Sequence, residues 1–340
     1  MRKRPLFAVC RLKLAVKDLS RVLVLGVGLV ALTLSIALVG IDAFAAAGSA
    51  ALPATAEPPM TPARANLRII RDLTYATVNG KALLLDLYLP PEPAGPLPLI
   101  VWVHGGAWRS GSKENPRLAL EMVYRGYAVA SINYRLSQEA VFPAQIQDVK
   151  AAIRWLRANS STYGLDPERI GAWGSSAGGH LVALLGTSGG VDLFDQGGGN
   201  YDQSSRVQAV VDFYGPTDFL QINSMMEAGS LRDRPSAAYS ALSLLLGGPI
   251  RDNLDKAAAA SPITYITPDD PPFLIVHGKQ DRTVPYQQSV IFYDALRRAG
   301  VEATLVILPE AQHGGPAFSD PQLLEQIADF FDRHLQQAQP

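Results

Sequence analysis

The segment from Arg169 to Leu185 constrains the chain most. An apolar strand candidate, Arg169–Trp173, runs straight into Gly174-Ser175-Ser176-Ala177-Gly178-Gly179 and on into a helical run through Leu185. A strand that turns into a helix with no room for a linker needs glycines at the turn, because a side chain there would clash. From Leu67 onward the same alternation repeats. Strand candidates at Leu83–Leu89, Leu97–Val103, Tyr127–Tyr134, Val207–Tyr214, Phe273–His277 and Ala303–Leu308 are separated by helical stretches. Phe142–Asn159 carries Ile146, Val149, Ile153 and Leu156 on one helical face, with Pro143 in its first turn and Gly164 as a stop. Pro285–Ala299 is a helix closed by Gly300, and Gln322–Leu335 is a terminal amphipathic helix. Strands alternating with helices of this length predict an α/β fold with a mostly parallel, doubly wound sheet. Two stretches interrupt it. Ser188–Ser205 reads as a solvated loop whose Asp192, Asp195 and Asp202 lack calcium-loop spacing, and Thr217–Ser261 reads as a small helical cap.

The N-terminal part is a different object. The whole chain of 340 residues has a net charge of −1, but residues 1–45 hold seven basic side chains and only two acidic ones. From Val22 to Ile41 no residue is charged, long enough as a helix to cross a bilayer. Ala43-Phe44-Ala45 offers a small-x-small cleavage site, so residues 1–45 read as a signal peptide or an uncleaved membrane anchor. On either reading the basic flank stays in the cytoplasm and the rest is exported, periplasmic, extracellular or anchored. Residues 46–66 are an Ala/Pro-rich linker, and 67–340 the α/β domain, with its cap at about 217–261. The single cysteine, Cys10, lies in the leader, which excludes a disulfide scaffold and cysteine zinc sites from the exported part. With 18% charged residues and no polybasic block, a nucleic-acid partner is not expected.

Gly174-x-Ser176-x-Gly178 between strand and helix is the pattern of a nucleophile elbow, with Ser176 as the nucleophile. A serine hydroxyl needs a base within hydrogen-bond reach. Of five histidines, only His313 sits in a loop directly after the last strand, and His104, His180, His277 and His334 read as structural. The base needs an orienting carboxylate, and fifteen acids lie between Ser176 and His313. Asp281 falls in the loop after Phe273–His277, at the sheet edge where Ser176 emerges, and Glu310 is the one rival. The Gly105 and Gly106 N–H groups, after the strand Leu97–Val103, join that of Ala177 as an oxyanion hole. Trp108 is a candidate substrate-binding residue, with packing of the loop as the equal alternative.

These segments resemble the α/β-hydrolases of the esterase/lipase kind, close to the hormone-sensitive-lipase-like and bacterial feruloyl/acetyl esterase-type enzymes. The resemblance is carried by HGGAW (104–108), NYRLSQEAVFPAQIQDVKAAIRWL (133–156), DPERIGAWGSSAGGHL (166–181), VDFYGPTD (211–218), PPFLIVHGKQDRTVP (271–285) and AQHG (311–314). It implies an α/β-hydrolase fold, Ser176, Asp281 and His313 as a catalytic triad, a structural role for Asp148, and no metal or organic cofactor. The chain departs from the HGGG of the lipase-like members and is similar there to the H-G-G-x-W of arylformamidases and carbohydrate-associated esterases. Glu310 and Gln312 stand where small residues are common in these families. The expected activity is hydrolysis of short-chain acyl or acetyl/feruloyl-type esters, small or polymer-linked, through an acyl-enzyme. An arylformamidase or other amide hydrolase is the alternative, and a non-catalytic binding domain the third reading.

Overall fold

The computed structural model describes residues 67–336, apart from 94, 115, 223 and 226–236. The leader (1–45) and linker (46–66) lie outside the described residues. Eight strands form one sheet: β1 (Arg68–Val78), β2 (Lys81–Leu89), β3 (Leu97–Val103), β4 (Ala128–Ile132), β5 (Leu165–Ser175), β6 (Ala209–Phe213), β7 (Phe273–Gly278) and β8 (Ala303–Leu308). Their spatial order is β1-β2-β4-β3-β5-β6-β7-β8. β1/β2 and β2/β4 pair antiparallel, and every pair from β4 to β8 is parallel. The interior strands β3, β4 and β6 are buried along their whole length, as expected for parallel strands covered on both faces.

Helices cover both faces. On one side lie Ala144–Ala158, Ala177–Thr187 and Gln287–Arg298, and on the other Arg117–Val123 and Pro321–Phe331, each side with its own apolar core. Ile146, Val149, Ile153 and Leu156 are all fully buried, so the apolar stripe read from the sequence is the face laid on the sheet. The terminal helix starts where the Asp320 side chain accepts the Gln322 and Leu323 N–H groups, ends at Phe331, and gives way to a wider turn through Gln336.

The sequence reading missed some elements. β1 carries no strong alternation because most of its residues are exposed at the sheet edge, and Arg117–Val123 is only seven residues long. The stretch Ser188–Ser205 is not merely solvated: Asp195 is ion-paired to buried Lys150 (2.8 Å) and Arg154 (2.9 Å). The described parts of the predicted cap, including Ala237–Leu246 and Leu254–Ala259, contribute Ala241, Leu242, Leu245, Leu246 and Ala257 to the same core as the sheet.

Candidate active site

The strand order brings the carboxyl ends of β3, β5, β6, β7 and β8 to one edge in unbroken sequence, and every predicted site residue follows one of them. At the end of β5, Ser176 has φ 55° and ψ −117°, a left-handed conformation that costs a non-glycine residue roughly 1–3 kcal/mol. The surroundings enforce it. Ser176 N–H donates to Phe213 O (2.8 Å), and its carbonyl accepts His180 N–H (2.9 Å) as the helix begins. A Cβ at Gly174 would overlap Gly178 O, and one at Gly178 would overlap Val103 O, so neither flank of the elbow admits a side chain.

His313 lies in the loop after β8, which packs so closely on the end of β7 that a Cβ at Gly278 would overlap Ala311 O and Gln312 O. Its Nδ1 is 2.7 Å from Asp281 Oδ2 and its Nε2 is 2.9 Å from Ser176 Oγ. A carboxylate only accepts, so Nδ1 carries the hydrogen, and Nε2 is left to accept the serine hydroxyl's proton. Asp281 Oδ1 accepts Thr283 N–H (2.7 Å) and Val284 N–H (2.9 Å). Burial alone would raise this carboxyl, but the hydrogen bonds and charges of His277 and His313 outweigh it and hold Asp281 well below the usual carboxylate range. Asp281 therefore stays an anion, as an orienting partner for an imidazolium must. Glu310, the sequence rival, is exposed, and Asp281 occupies the Nδ1 side. The Tyr214 ring meets His313 edge-to-face at 4.8 Å.

The oxyanion loop is held as tightly. A Cβ at Gly105 would sit 2.8 Å from Ser175 O, and one at Gly106, whose φ is 110°, would overlap Ser110 O. Ala107 and Trp108 are also left-handed. Among the described residues, neither Gly105 N–H nor Gly106 N–H is spent on a hydrogen bond, and Gly105 packs directly on Ser175 and Ser176, so both are available as donors for an oxygen carrying negative charge. His104 is stacked on Tyr134 at 4.4 Å and bonded through Nδ1 to Gly105 O (2.7 Å); burial pushes its pKa down, so it supports the loop as a neutral ring.

Trp108 is placed differently from the binding role it was a candidate for. It is 4% exposed, its Nε1–H donates to His180 Nδ1 (3.1 Å), and its ring packs edge-on against Phe219. His180 in turn donates from Nε2 to Ala260 O (2.7 Å), and burial pushes its pKa down to about 4. This relay ties the oxyanion loop to the nucleophile helix and to the end of the predicted cap. Asp148 holds Arg135 through a bidentate pair (2.7 Å at Nη2) away from the reacting atoms, the structural place the resemblance implied. Among the described residues, no group of three or more His, Cys, Asp or Glu side chains is gathered to hold a metal ion.

Two residues near the reacting atoms escaped the sequence reading. Tyr214 sits at φ 45° directly after β6, and His277 reaches back to Asp281. The only signal for His277 was its spacing of four residues from the acid.

A family model described as BD-FAE matches residues 85–296, well over half of the chain. Over 258 residues the chain is 34% identical to the probable carboxylic ester hydrolase LipM of Mycobacterium tuberculosis, covering 73% of this chain and 58% of that protein. It thus spans little more than half the length of the curated relatives it matches first. Among solved structures, a truncated form of a carbohydrate esterase from gut microbiota superposes with a TM-score of 0.72 at 34% identity, over 79% of this chain and 97% of that one. The butyrate-bound esterase Est2 of Thermogutta terrifontis superposes with a TM-score of 0.64 at 28% identity, over 79% and 94%. The sheet order, the elbow and these likenesses identify the α/β-hydrolase fold, and the chain belongs to the BD-FAE family of α/β-hydrolase esterases.

Proposed function

We propose that this protein is a serine carboxylic-ester hydrolase acting through an acyl-enzyme, with Ser176, His313 and Asp281 as its triad. The observation that carries this reading is the unbroken line Asp281–His313–Ser176 at 2.7 and 2.9 Å, ending on a left-handed serine against which Gly105 is packed. His313 Nε2 takes the Ser176 proton as Oγ attacks the ester carbonyl. The N–H groups of Gly105, Gly106 and Ala177 hold the oxyanion, a contribution of roughly 3–4 kcal/mol per donor. His313 then protonates the departing alcohol, and a water repeats both steps to free the acid. The names of relatives support ester over amide chemistry. Est2, whose solved structures include a butyrate-bound form and one phosphonylated by cyclosarin, supports short acyl groups and a reactive nucleophile for this chain. The carbohydrate esterase neighbour supports acetyl or feruloyl groups on glycans as the substrate class.

The test uses wild type and Ser176→Ala with a fluorophosphonate probe. A panel of acetyl, butyryl, octanoyl and feruloyl esters plus N-formylkynurenine follows. Labelling and ester turnover confined to wild type are expected; equal labelling of both forms, or turnover of the formamide alone, overturns the ester reading. The basic N-terminal flank and the uncharged run 22–41 support export of the enzyme. An N-terminus starting at Ala46 in the mature protein is the expected signature of cleavage, and one starting at Met1 that of an anchor.

A further inference from the structure

His277 is fully buried at the end of β7, and its two ring nitrogens have different partners. Nε2 lies 3.2 Å from Asp281 Oδ2 and 2.9 Å from Val284 O, and Nδ1 lies 2.7 Å from Ser289 Oγ. Both partners of Nε2 can only accept, so that nitrogen carries a hydrogen; in the neutral ring Nδ1 then accepts the Ser289 hydroxyl. Asp281 is thereby held by four donors: two backbone N–H groups on Oδ1, and two imidazoles, His313 and His277, on Oδ2. Turning the carboxylate about its Cβ–Cγ bond would break these bonds together. The other groups around the His277 ring are Tyr214, whose ring centroid is 6.4 Å away, and the buried Asp212 on the neighbouring strand β6.

We propose that His277 is a positioning residue for hydrolysis: it clamps Asp281 at the same Oδ2 that faces His313, with Val284 O holding the hydrogen on Nε2 and Ser289 anchoring the other end of the ring. The proposal rests on the serine-esterase reading above. His277 touches no reacting atom. By holding Oδ2 in place and sharing its charge, it sets both the direction and the strength of the pull on His313 Nδ1–H.

The experiment compares wild type, His277→Leu, His277→Gln and Ser289→Ala, each checked by thermal melting for a folded state. It measures kcat and KM for p-nitrophenyl acetate across pH, and the low-field proton NMR signal of His313 Nδ1–H. His277→Leu should lower kcat by about tenfold or more with KM unchanged. Its acid limb of kcat/KM should move to higher pH, because one donor fewer draws charge from the carboxylate. His277→Gln, whose amide nitrogen reaches the Nε2 position, should recover most of the loss, and Ser289→Ala should lose a few-fold. A folded His277→Leu with wild-type kcat, pH profile and low-field signal overturns the proposal, as does an equal loss in the Leu and Gln variants. If wild type neither turns over esters nor reacts with a fluorophosphonate, the esterase reading fails. The low-field signal then still tests the clamp: it should move in His277→Leu, and an unmoved signal overturns it.

Discussion

Two glycine-rich loops, one leaving β3 and one leading from the helix Ala177–Thr187 into β6, are held by different means. In the loop from His104 to Lys113, Gly105, Gly106 and Gly111 are crowded: a Cβ at any of them would press on Ser175 O, Ser110 O or His104 Nδ1. Its far end is anchored by Lys113, whose ammonium meets Asp72 and Asp86 at 2.9 Å. In the loop from Ser188 to Arg206, Gly197 and Gly199 have open space where a Cβ would go. That loop is held from below. Lys150 Nζ donates to Ser188 O (2.7 Å), Arg154 to Gly197 O (2.5 Å) and Gly199 O (3.1 Å), and Arg157 to Ser204 O and Arg206 O. One loop uses glycine because backbone must approach backbone. In the other, Gly197 and Gly199 turn carbonyls toward buried cations, and its crowded glycines, Gly189 and Gly198, press on the side chains of Arg206 and Ala151 rather than on backbone. Glycine content alone therefore says little about whether a loop serves chemistry or architecture.

The largest effect expected from this contrast is on stability and lies in the second loop. Among the described residues, Asp195 is the one carboxylate ion-paired to both Lys150 and Arg154, whose side chains are 0% and 2% exposed. Asp195→Asn should leave two buried cations uncompensated and cost roughly 3–5 kcal/mol in urea unfolding. Turnover per folded molecule should be unchanged; a matching loss of kcat would merge the two loops into one functional unit. Next comes the first loop. Gly106→Ala should lower kcat on the order of 100-fold, since the added methyl displaces an oxyanion donor. A variant with wild-type kcat would show that the donor tolerates the shift.

A smaller effect tests the ground beneath the elbow. Asp212 is wholly buried; Oδ1 accepts Gly215 N–H (3.0 Å), and Oδ2 has no partner among the described residues. Burial pushes its pKa up to about 6, opposed by that bond and by His277. With the native pKa above the unfolded one, its stabilising share is complete below about pH 4 and is lost as pH rises through 6. Asp212→Asn should therefore gain on wild type by roughly 2–3 kcal/mol between pH 4 and pH 7, read as a difference in Tm. A flat difference across that range would remove Asp212 from the account. The smallest effect belongs to Gly199→Ala, with φ +77° and open space: about 1 kcal/mol of stability and no change in turnover.

Much of the fold was legible because the parallel strands are short, apolar and punctuated. β3 and β8 coincide with their sequence boundaries, and the elbow marks its own strand-to-helix junction. Asp281 and His313 were legible by position alone, since each follows a strand that ends at the same edge as Ser176. What escaped has physical reasons. β1 is an exposed edge strand, so its pattern lacks an apolar face. Trp108 offers a large ring on a Gly-rich loop, and only the bond to His180, 72 residues away, reveals that it packs inward. Asp195 was tested only as part of a metal pattern, whereas its partners are two cations on the inner face of a helix. His277 reads as the last residue of a strand, and nothing in a linear string says that the chain folds the acid back under its ring.

The hydrogen bond between Ser176 and His313 spans 137 residues. A ribosome delivers the loop after β3 and the elbow long before β8 and His313. The growing chain thus carries its serine as an ordinary alcohol. A base for its hydroxyl is in place only after the 137 residues that follow it have been made and folded back.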